Sequence, residues 1–475
     1  MTTITSLAAD WDVLVVGAGP AGMAAATVAS RAGLSTLLVD EGPSPGGQIW
    51  RAVTTTPVMR RPVLGDDYWC GADAVRAFER SGTVYLPATT VWSLDGQGRA
   101  GLSHGGGARI VTASRVIVAT GALERPFPVP GWTLPGVMTV GGAQGLLKAS
   151  GLYPGGRLVI AGTGPLIWLY AAQLLRAGGR IEAILDTTDR RARYAAAARL
   201  PSFLASSYLG KGLALMAEVR RRVRVVGKVT SLVIEGDQKV DGVRYACARR
   251  QEARLPANTV LLHQGVVPQT SLAMAAGVRH RWDDDQLCFV PEINADGATS
   301  HERIAIAGDS AGIAGWEAAV TRGHLAGIAA VRALGGTGDG LPDAAACRRR
   351  LAALEGPRGF LDRLYRPARS FRIPTGDTIV CRCEEVRAGE IERAVDLGCL
   401  GPAQLKSFTR AGMGPCQGRL CGLTVTEMIA SRRGVPQAEV GTARPRPPVK
   451  PITVAELASL PAGEQDLAAV IGRRR

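Results

Sequence analysis

"WDVLVVGAGPAGMAAATVASRAGLSTLLVDEG", residues 11–42, decides the fold. It opens on an unbroken apolar run, residues 13–16, of the kind that forms a strand buried on both faces of a parallel sheet. Gly17, Gly19 and Gly22 follow in GxGxxG spacing and lead into an alanine-rich helical stretch. The first glycine permits a sharp turn, and the second lets backbone approach a pyrophosphate. The third lets helix and strand pack closely, while the helix N-terminus offers N–H groups and a positive dipole to phosphate. A second apolar run, residues 36–39, ends in Asp40, where a carboxylate should meet ribose hydroxyls. Strand, glycines, helix, strand and acid in register define a dinucleotide-binding unit.

The design recurs in "GRLVIAGTGPLIWLYAAQLLRAGGRIEAILDTTD", residues 156–189. Gly162 and Gly164 stand in place, Ile167 replaces the third glycine, and Asp186 ends the next strand. An isoleucine there is expected to hold helix and strand farther apart. No arginine pair adjoins Asp186, which argues against a 2′-phosphorylated ribose, although Arg190 and Arg191 come soon after.

At ~150 residues per domain, a chain of 475 residues holds about three domains. Its 60 glycines and few aromatics suit an α/β protein rich in tight turns. The most apolar stretch, around residues 157–175, is broken by glycines and a proline, so no transmembrane span is expected. The N-terminus lacks a basic start and carries Asp10 and Asp12, so no secretory signal is expected. The net charge of +15 comes from dispersed arginines without interleaved aromatics, which fits a solvated basic surface and not a nucleic-acid platform. Nine cysteines, four of them single (Cys70, Cys247, Cys288, Cys347), do not form a disulfide framework, and a cytoplasmic protein is expected.

Four other cysteines form two tight pairs, Cys381-x-Cys383 and Cys416-x4-Cys421, with Cys399 between them. A structural zinc and a [2Fe–2S] cluster both take four thiolates. The one-residue gap is unusual for zinc, and each pair could cap one iron. The glycines of "AGMGPCQGRLCG" leave backbone N–H groups free to bond sulfur. Spacing leaves both metals open. Of the five histidines (His104, His263, His280, His301, His324) none has a recognisable acid partner in the sequence, and no catalytic residue is assigned.

"PSPGGQIWR" (43–51), "SRVIVATGALERP" (114–126) and "ERIAIAGDSAG" (302–312), in this order after the first fingerprint, resemble the two-dinucleotide-domain flavoproteins with the glutathione- and thioredoxin-reductase-like fold. That resemblance implies FAD contacts at Gly17, Gly19, Gly22, Asp40, Gln48 and Asp309. In that family the inserted domain binds NAD(P)H; at Gly162, Gly164 and Asp186 the readings are a nucleotide (NAD or ATP-like) bound without reacting, a vestigial site, or an NAD(P)H that turns over. Apart from the resemblance, His263 stands at a strand end that could face the isoalloxazine. Members that reduce disulfides carry a cysteine pair beside the flavin; here Cys70 and Cys288 stand alone.

The four paired thiols and "CQGRLCG" resemble the bacterioferritin-associated-ferredoxin-like [2Fe–2S] domain, which decides for iron at Cys381, Cys383, Cys416 and Cys421 and leaves Cys399 a buried bystander. Flavoprotein first and cluster last resembles the large subunits of heteromeric amine and imino-acid dehydrogenases, a group with opine, D-hydroxyproline and hydrogen-cyanide-forming members. The resemblance implies a D-amino-acid-oxidase-like β subunit with its own flavin, a small ferredoxin-like subunit, and a quinone or other acceptor. A peripheral place at the inner membrane face is compatible with it. The alternative is a stand-alone NAD(P)H-dependent reductase.

The expected organisation is an α/β FAD-binding domain in two segments (10–150 and 271–335) around an inserted NAD(P)-binding-like domain (151–270). A linker (336–375), the small helical [2Fe–2S] domain (376–436) and a Pro-rich tail (437–475) follow. The tail is expected either to strap a partner or to be disordered.

Overall fold

The computed structural model describes residues 4–204, 206–248, 250–336 and 340–461. The fingerprint strand Asp10–Val16 lies inside a seven-stranded sheet, its residues 13–16 almost fully buried. It pairs in parallel with Thr36–Val39 on one side and with the long strand Gly107–Val118 on the other. Ile304–Ile306 adds to that long strand, so the late Gly308-Asp309 turn emerges at the same sheet edge as Gly17. Two contacts force glycine here. A Cβ on Gly22 would stand 1.8 Å from the Gly17 carbonyl oxygen, and one on Gly323 would stand 2.2 Å from that of Ala21. The second lets helix Trp316–Ala333 lie directly on helix Pro20–Arg31.

The second sheet has five parallel strands, in the spatial order 224–227, 183–186, 158–163, 259–264, 137–139. Strand Val137–Thr139 and the helix Val140–Ser150 that follows it therefore belong to the inserted domain, and the boundary expected at residue 150 is too late. The short strands Ala122–Glu124 and Val266–Pro268 pair antiparallel where the chain crosses between the two domains. Ile167 is buried in the core with Leu158 and Ile160.

The expected linker is helical. Ala344–Glu355 packs on the long helix through an Arg322–Glu355 ion pair at 2.6 Å, and Phe360 of Arg358–Leu364 stacks on Phe203 with centroids 4.3 Å apart. The cysteine domain is a two-stranded ribbon, Ile379–Cys381 with Val386–Arg387, under helices Ala388–Asp396, Pro402–Thr409 and Gly422–Arg433. It docks at the crossing point: Leu423 packs on Leu123, Val267, Cys288 and Val290. Beside that contact Glu427, 1% exposed, is held between Arg125 at 3.4 Å and Arg372.

Through residue 461 the tail is anchored on the flavin domain. Val449 is buried in the core of the flavin domain and its N–H bonds the Trp92 carbonyl at 2.7 Å. Lys450 pairs with Glu41, and helix Val454–Ala458 opens on a capping box from Thr453 and Glu456. The prolines forbid a helix, and the extended chain lays an apolar residue into a gap of the sheet instead. Residues 462–475 of the expected tail lie outside the described residues.

Removing one member of a buried ion pair leaves the other uncompensated. Glu427→Ala is therefore expected to lower unfolding stability by about 3–5 kcal/mol in denaturant titration while the four cysteines still retain iron. A change below about 0.5 kcal/mol, the size usual for a surface substitution, would show that the two arginines are not anchored by it.

Candidate cofactor sites

The first cleft is built on the N-terminus of helix Pro20–Arg31, where Gly19 is the N-cap and no side chain caps the helix. A Cβ on Gly19 would meet nothing nearer than the Gly47 Cα at 3.9 Å, so the space before the helix N–H groups is open. Gly17 behaves differently: its φ is +109° and a Cβ would lie 2.4 Å from the Ala119 carbonyl oxygen, so this glycine serves the fold. Asp40 accepts from the N–H groups of Ala18 and Gly42, both at 2.6 Å, which fixes its carboxylate at the end of the second strand. Burial pushes its pKa up, opposed by those two N–H groups. The "GGQ" loop closes over this region, with the Gly46 N–H on the Ala18 carbonyl at 2.8 Å. Gln48 is turned toward Arg51, whose Nη2 donates to its Oε1 at 3.0 Å. Asp309 sits at the start of the long helix, its Oδ1 accepting from the Ala314 N–H at 3.1 Å. Open space, unspent N–H groups and three polar residues along one cleft fit a dinucleotide.

In the second cleft Gly162 and Gly164 have φ of +142° and +129°. His263 lies beneath this loop, its Nε2 2.9 Å from where a Gly164 Cβ would be. The expectation that His263 faces the isoalloxazine is corrected by its place in the second sheet. It also has an acid partner, Glu124, with Nδ1 to Oε1 at 2.6 Å. Burial raises the Glu124 pKa, but the His263 hydrogen bond and charge, the Thr139 hydroxyl and the Gly141 N–H bring it below the usual carboxylate range. An ionised Glu124 requires the proton on Nδ1, which leaves Nε2 toward the glycine loop. Asp186 is ion-paired with Arg193 at 3.4 Å, and Arg220 and Lys228 line the same cavity. The case against a phosphorylated ribose is weakened, because the cations come from two helices and the link between two strands and not from beside the acid. Arg190 and Arg191 are exposed.

The four paired cysteines converge. The Cys381 thiol hydrogen-bonds with Cys421 and the Cys383 thiol with Cys416, so contact runs across the two sequence pairs and not within them. Cys381 also accepts from the N–H groups of Gly412, Glu384 and Cys383, and Cys383 from that of Cys416. Cys381 is pushed down to about 5, first by the Cys421 hydrogen bond, with burial opposing and the backbone N–H groups helping. A Cβ on Gly414 would lie 2.2 Å from that of Cys383, so the loop reaches the thiols only as glycine. Four converging sulfurs, two of them bonded by backbone N–H groups, are the donor set a [2Fe–2S] cluster uses. Cys399 is buried away from them, its thiol on the Gly401 carbonyl. All nine cysteines are free thiols, and neither Cys70 nor Cys288 has a sulfur partner.

These geometries define a two-domain flavoprotein with an appended cluster domain. The chain belongs to the pyridine nucleotide-disulphide oxidoreductase family, whose model matches residues 11–323, and a BFD-like [2Fe-2S] binding domain matches residues 379–431. It is 47% identical to the A subunit of opine oxidase from Agrobacterium tumefaciens (strain Ach5), over 100% of this chain and 96% of the relative. It is 34% identical to the hydrogen cyanide synthase subunit HcnB of Pseudomonas aeruginosa, over 92% of this chain and 96% of the relative. Among solved structures it superposes on L-proline dehydrogenase from P. horikoshii with a TM-score of 0.68 at 19% identity, over 94% of this chain and 79% of that one. The fold class and the resemblance to large subunits of heteromeric dehydrogenases are borne out, and the cofactors are FAD and a [2Fe–2S] cluster.

The two sites separate by substitution. Gly19 has extended backbone (φ −75°, ψ −177°) and room for a side chain, so Gly19→Val should fold. Its side chain would occupy the pyrophosphate space, and the purified variant is expected to carry iron but no FAD. Cys421→Ser should carry FAD and lose iron. Flavin absorbance and iron analysis on the same preparations check both; full FAD in Gly19→Val would relocate the phosphate loop.

Proposed function

We propose that this chain is the FAD- and [2Fe–2S]-carrying subunit of a heteromeric dehydrogenase acting on a CH–NH or CH–NH2 donor of the opine, D-hydroxyproline or proline type. A second, D-amino-acid-oxidase-like chain with its own flavin would hold the substrate. The observation that carries this is the docking of the cluster domain on the crossing between the dinucleotide domains, through Glu427 and Leu423. It occurs in a chain similar over its whole length to a component of opine oxidase. When bound, FAD accepts electrons in pairs and the cluster passes them singly. The protein's own part is positional. Gly19 and Asp309 fix the two ends of the FAD cleft, and the Arg125–Glu427–Arg372 contact holds the cluster domain against it. The solitary Cys70 and Cys288 offer no disulfide to divert electrons. A quinone or other carrier, with a small ferredoxin-like subunit, completes the path, and the complex works in the cytoplasm.

The basic cavity around Asp186 favours a second reading, a reductase fed by NAD(P)H at the Gly162–Gly164 loop. Anaerobic mixing with NADH or NADPH distinguishes the two. On the first reading the flavin absorbance of the isolated chain stays unchanged over minutes; bleaching within seconds would establish the second.

Oxidising a C–N bond requires a pocket that fixes the α-hydrogen over a flavin. The isolated chain is therefore expected to reduce no dye with octopine, D-proline, hydroxyproline or glycine. Co-expression with an oxidase-like chain encoded beside it should restore turnover with one of them. Turnover by the isolated chain, shown by mass spectrometry to be free of partner, would place the substrate site here.

A further inference from the structure

Two neighbouring cations, one buried and one half-buried, have no counter-charge among the described residues. Lys148, 5% exposed, donates from Nζ to the Gln48 carbonyl at 3.0 Å. Arg51 donates from Nη2 to the Gln48 side chain, and its buried Nε has no partner. Arg51 lies close enough to be felt by Asp40, but that carboxylate is already bonded to the Ala18 and Gly42 N–H groups. Elsewhere the fold pairs its buried charges, Arg125 with Glu427 being the plainest case.

Their position says which anion is missing. The 46–51 turn begins against the pyrophosphate loop, where a Gly47 Cβ would come within 2.9 Å of the Gly19 Cα. Near its end stands Trp50, whose ring packs 5.5 Å from that of Trp316, the first residue of the helix behind Asp309. The turn thus runs along the cleft from phosphate toward the ring half of a dinucleotide. Helix Val140–Ser150 brings Lys148 from the other domain to the middle of that turn, at the Gln48 carbonyl, with Arg51 at the turn's far end. Burial, with Arg51 beside it, pushes the Lys148 pKa down to about 7, so an anion arriving beside it would be strongly favoured.

We propose that Lys148, with Arg51, is the counter-charge for the isoalloxazine ring of FAD when the ring takes up negative charge on reduction. The proposal rests on the assignment of FAD to the first cleft. A hydride delivered to N5 brings two electrons and one proton, so the ring is left with one negative charge, held on the N1–C2=O side. The donor is the amine substrate by way of the partner's flavin. Sulfite makes the same charge without turnover, by adding its lone pair to N5.

The experiment uses the full-length, FAD-loaded chain, with FAD and iron measured before any sulfite is added. Lys148→Met keeps the length of the side chain without its charge, and Lys148→Arg keeps the charge. The expected result is wild-type FAD and iron in both, sulfite affinity at least tenfold weaker in Lys148→Met, and near-wild-type affinity in Lys148→Arg. The flavin midpoint potential should fall in parallel, a tenfold change in a two-electron couple being about 30 mV. Equal sulfite affinity and potential in wild type and Lys148→Met would overturn the proposal. So would loss of FAD from both variants, which would make Lys148 a structural prop. A wild-type chain that takes up no FAD refutes the cleft assignment instead, and is seen at the first measurement.

Discussion

Glu124 and Arg125 are adjacent residues whose charges are spent in opposite directions, and three parts of the chain meet at that dipeptide. Glu124 accepts from His263 and from the Gly141 N–H, which ties the crossing strand into the inserted domain. Arg125 reaches Glu427 of the cluster domain and the carbonyls of Gln286 and Leu287, both at 2.8 Å, in the second flavin segment. An arginine with five donors can satisfy a carboxylate and two carbonyls at once, which a lysine could not do in the same plane. Burial pushes Arg125 down to about 10, still well above neutrality, so the contact stays charged in use. Because strand Ala122–Glu124 is only three residues long, movement of either charge displaces the other partner's anchor.

This arrangement explains how two dinucleotide units that share a core and a cluster domain with its own hold two cofactors in fixed relation. Each domain supplies its own cradle from local sequence: glycines before a helix for the dinucleotides, glycines between cysteines for the cluster. What fixes one cradle against the next is long-range: a shared apolar core between the dinucleotide units, and Leu423 with the Glu427 ion pairs for the cluster domain. The cluster loop is held from both sides, by Glu427 at the crossing and by the strap, where Gln417 bonds the Pro448 carbonyl at 3.1 Å and Arg419 bonds that of Val449. A loop with Gln417 and Gly418 at positive φ gains rigidity from those bonds that its own backbone lacks.

The local half of this design was legible in the sequence. Gly17, Gly19, Gly22 and Asp40 within one βαβ unit, and four cysteines in two pairs, carry their chemistry in spacing of a few residues. The other half was not, for a physical reason. His263 and Glu124 are 139 residues apart, and Arg125 and Glu427 are 302 apart, so each looked like an isolated residue. Residues 137–150 were given to the wrong domain, since a three-residue strand shows its sheet only through its partner, here Val260, Leu261 and Leu262. The proline-rich tail read as linker or strap by composition, and only the burial of Val449 against the sheet shows what it straps. Lys148 gave no signal at all, because a lysine in the last turn of a helix is expected in solvent.

The Glu427 clamp and the Lys148 site are both net positive. Glu427 lies between two arginines, with Arg366 and Arg369 close enough to lower the Arg372 pKa further, so the clamp carries net positive charge. Helix Gly422–Arg433 puts Glu427 about 9 Å along its axis from Cys421, at 1.5 Å per residue. Arg51 and Lys148 both bond Gln48, in the turn that lies against the phosphate loop of the first cleft. A fixed cation near a redox group favours the form that holds more negative charge, and a dry surrounding strengthens the effect. On the placement proposed for Lys148, each site would favour the reduced form of its cofactor. That would suit the proposed role of a chain taking reducing equivalents from a neighbour, through side chains that hold no substrate.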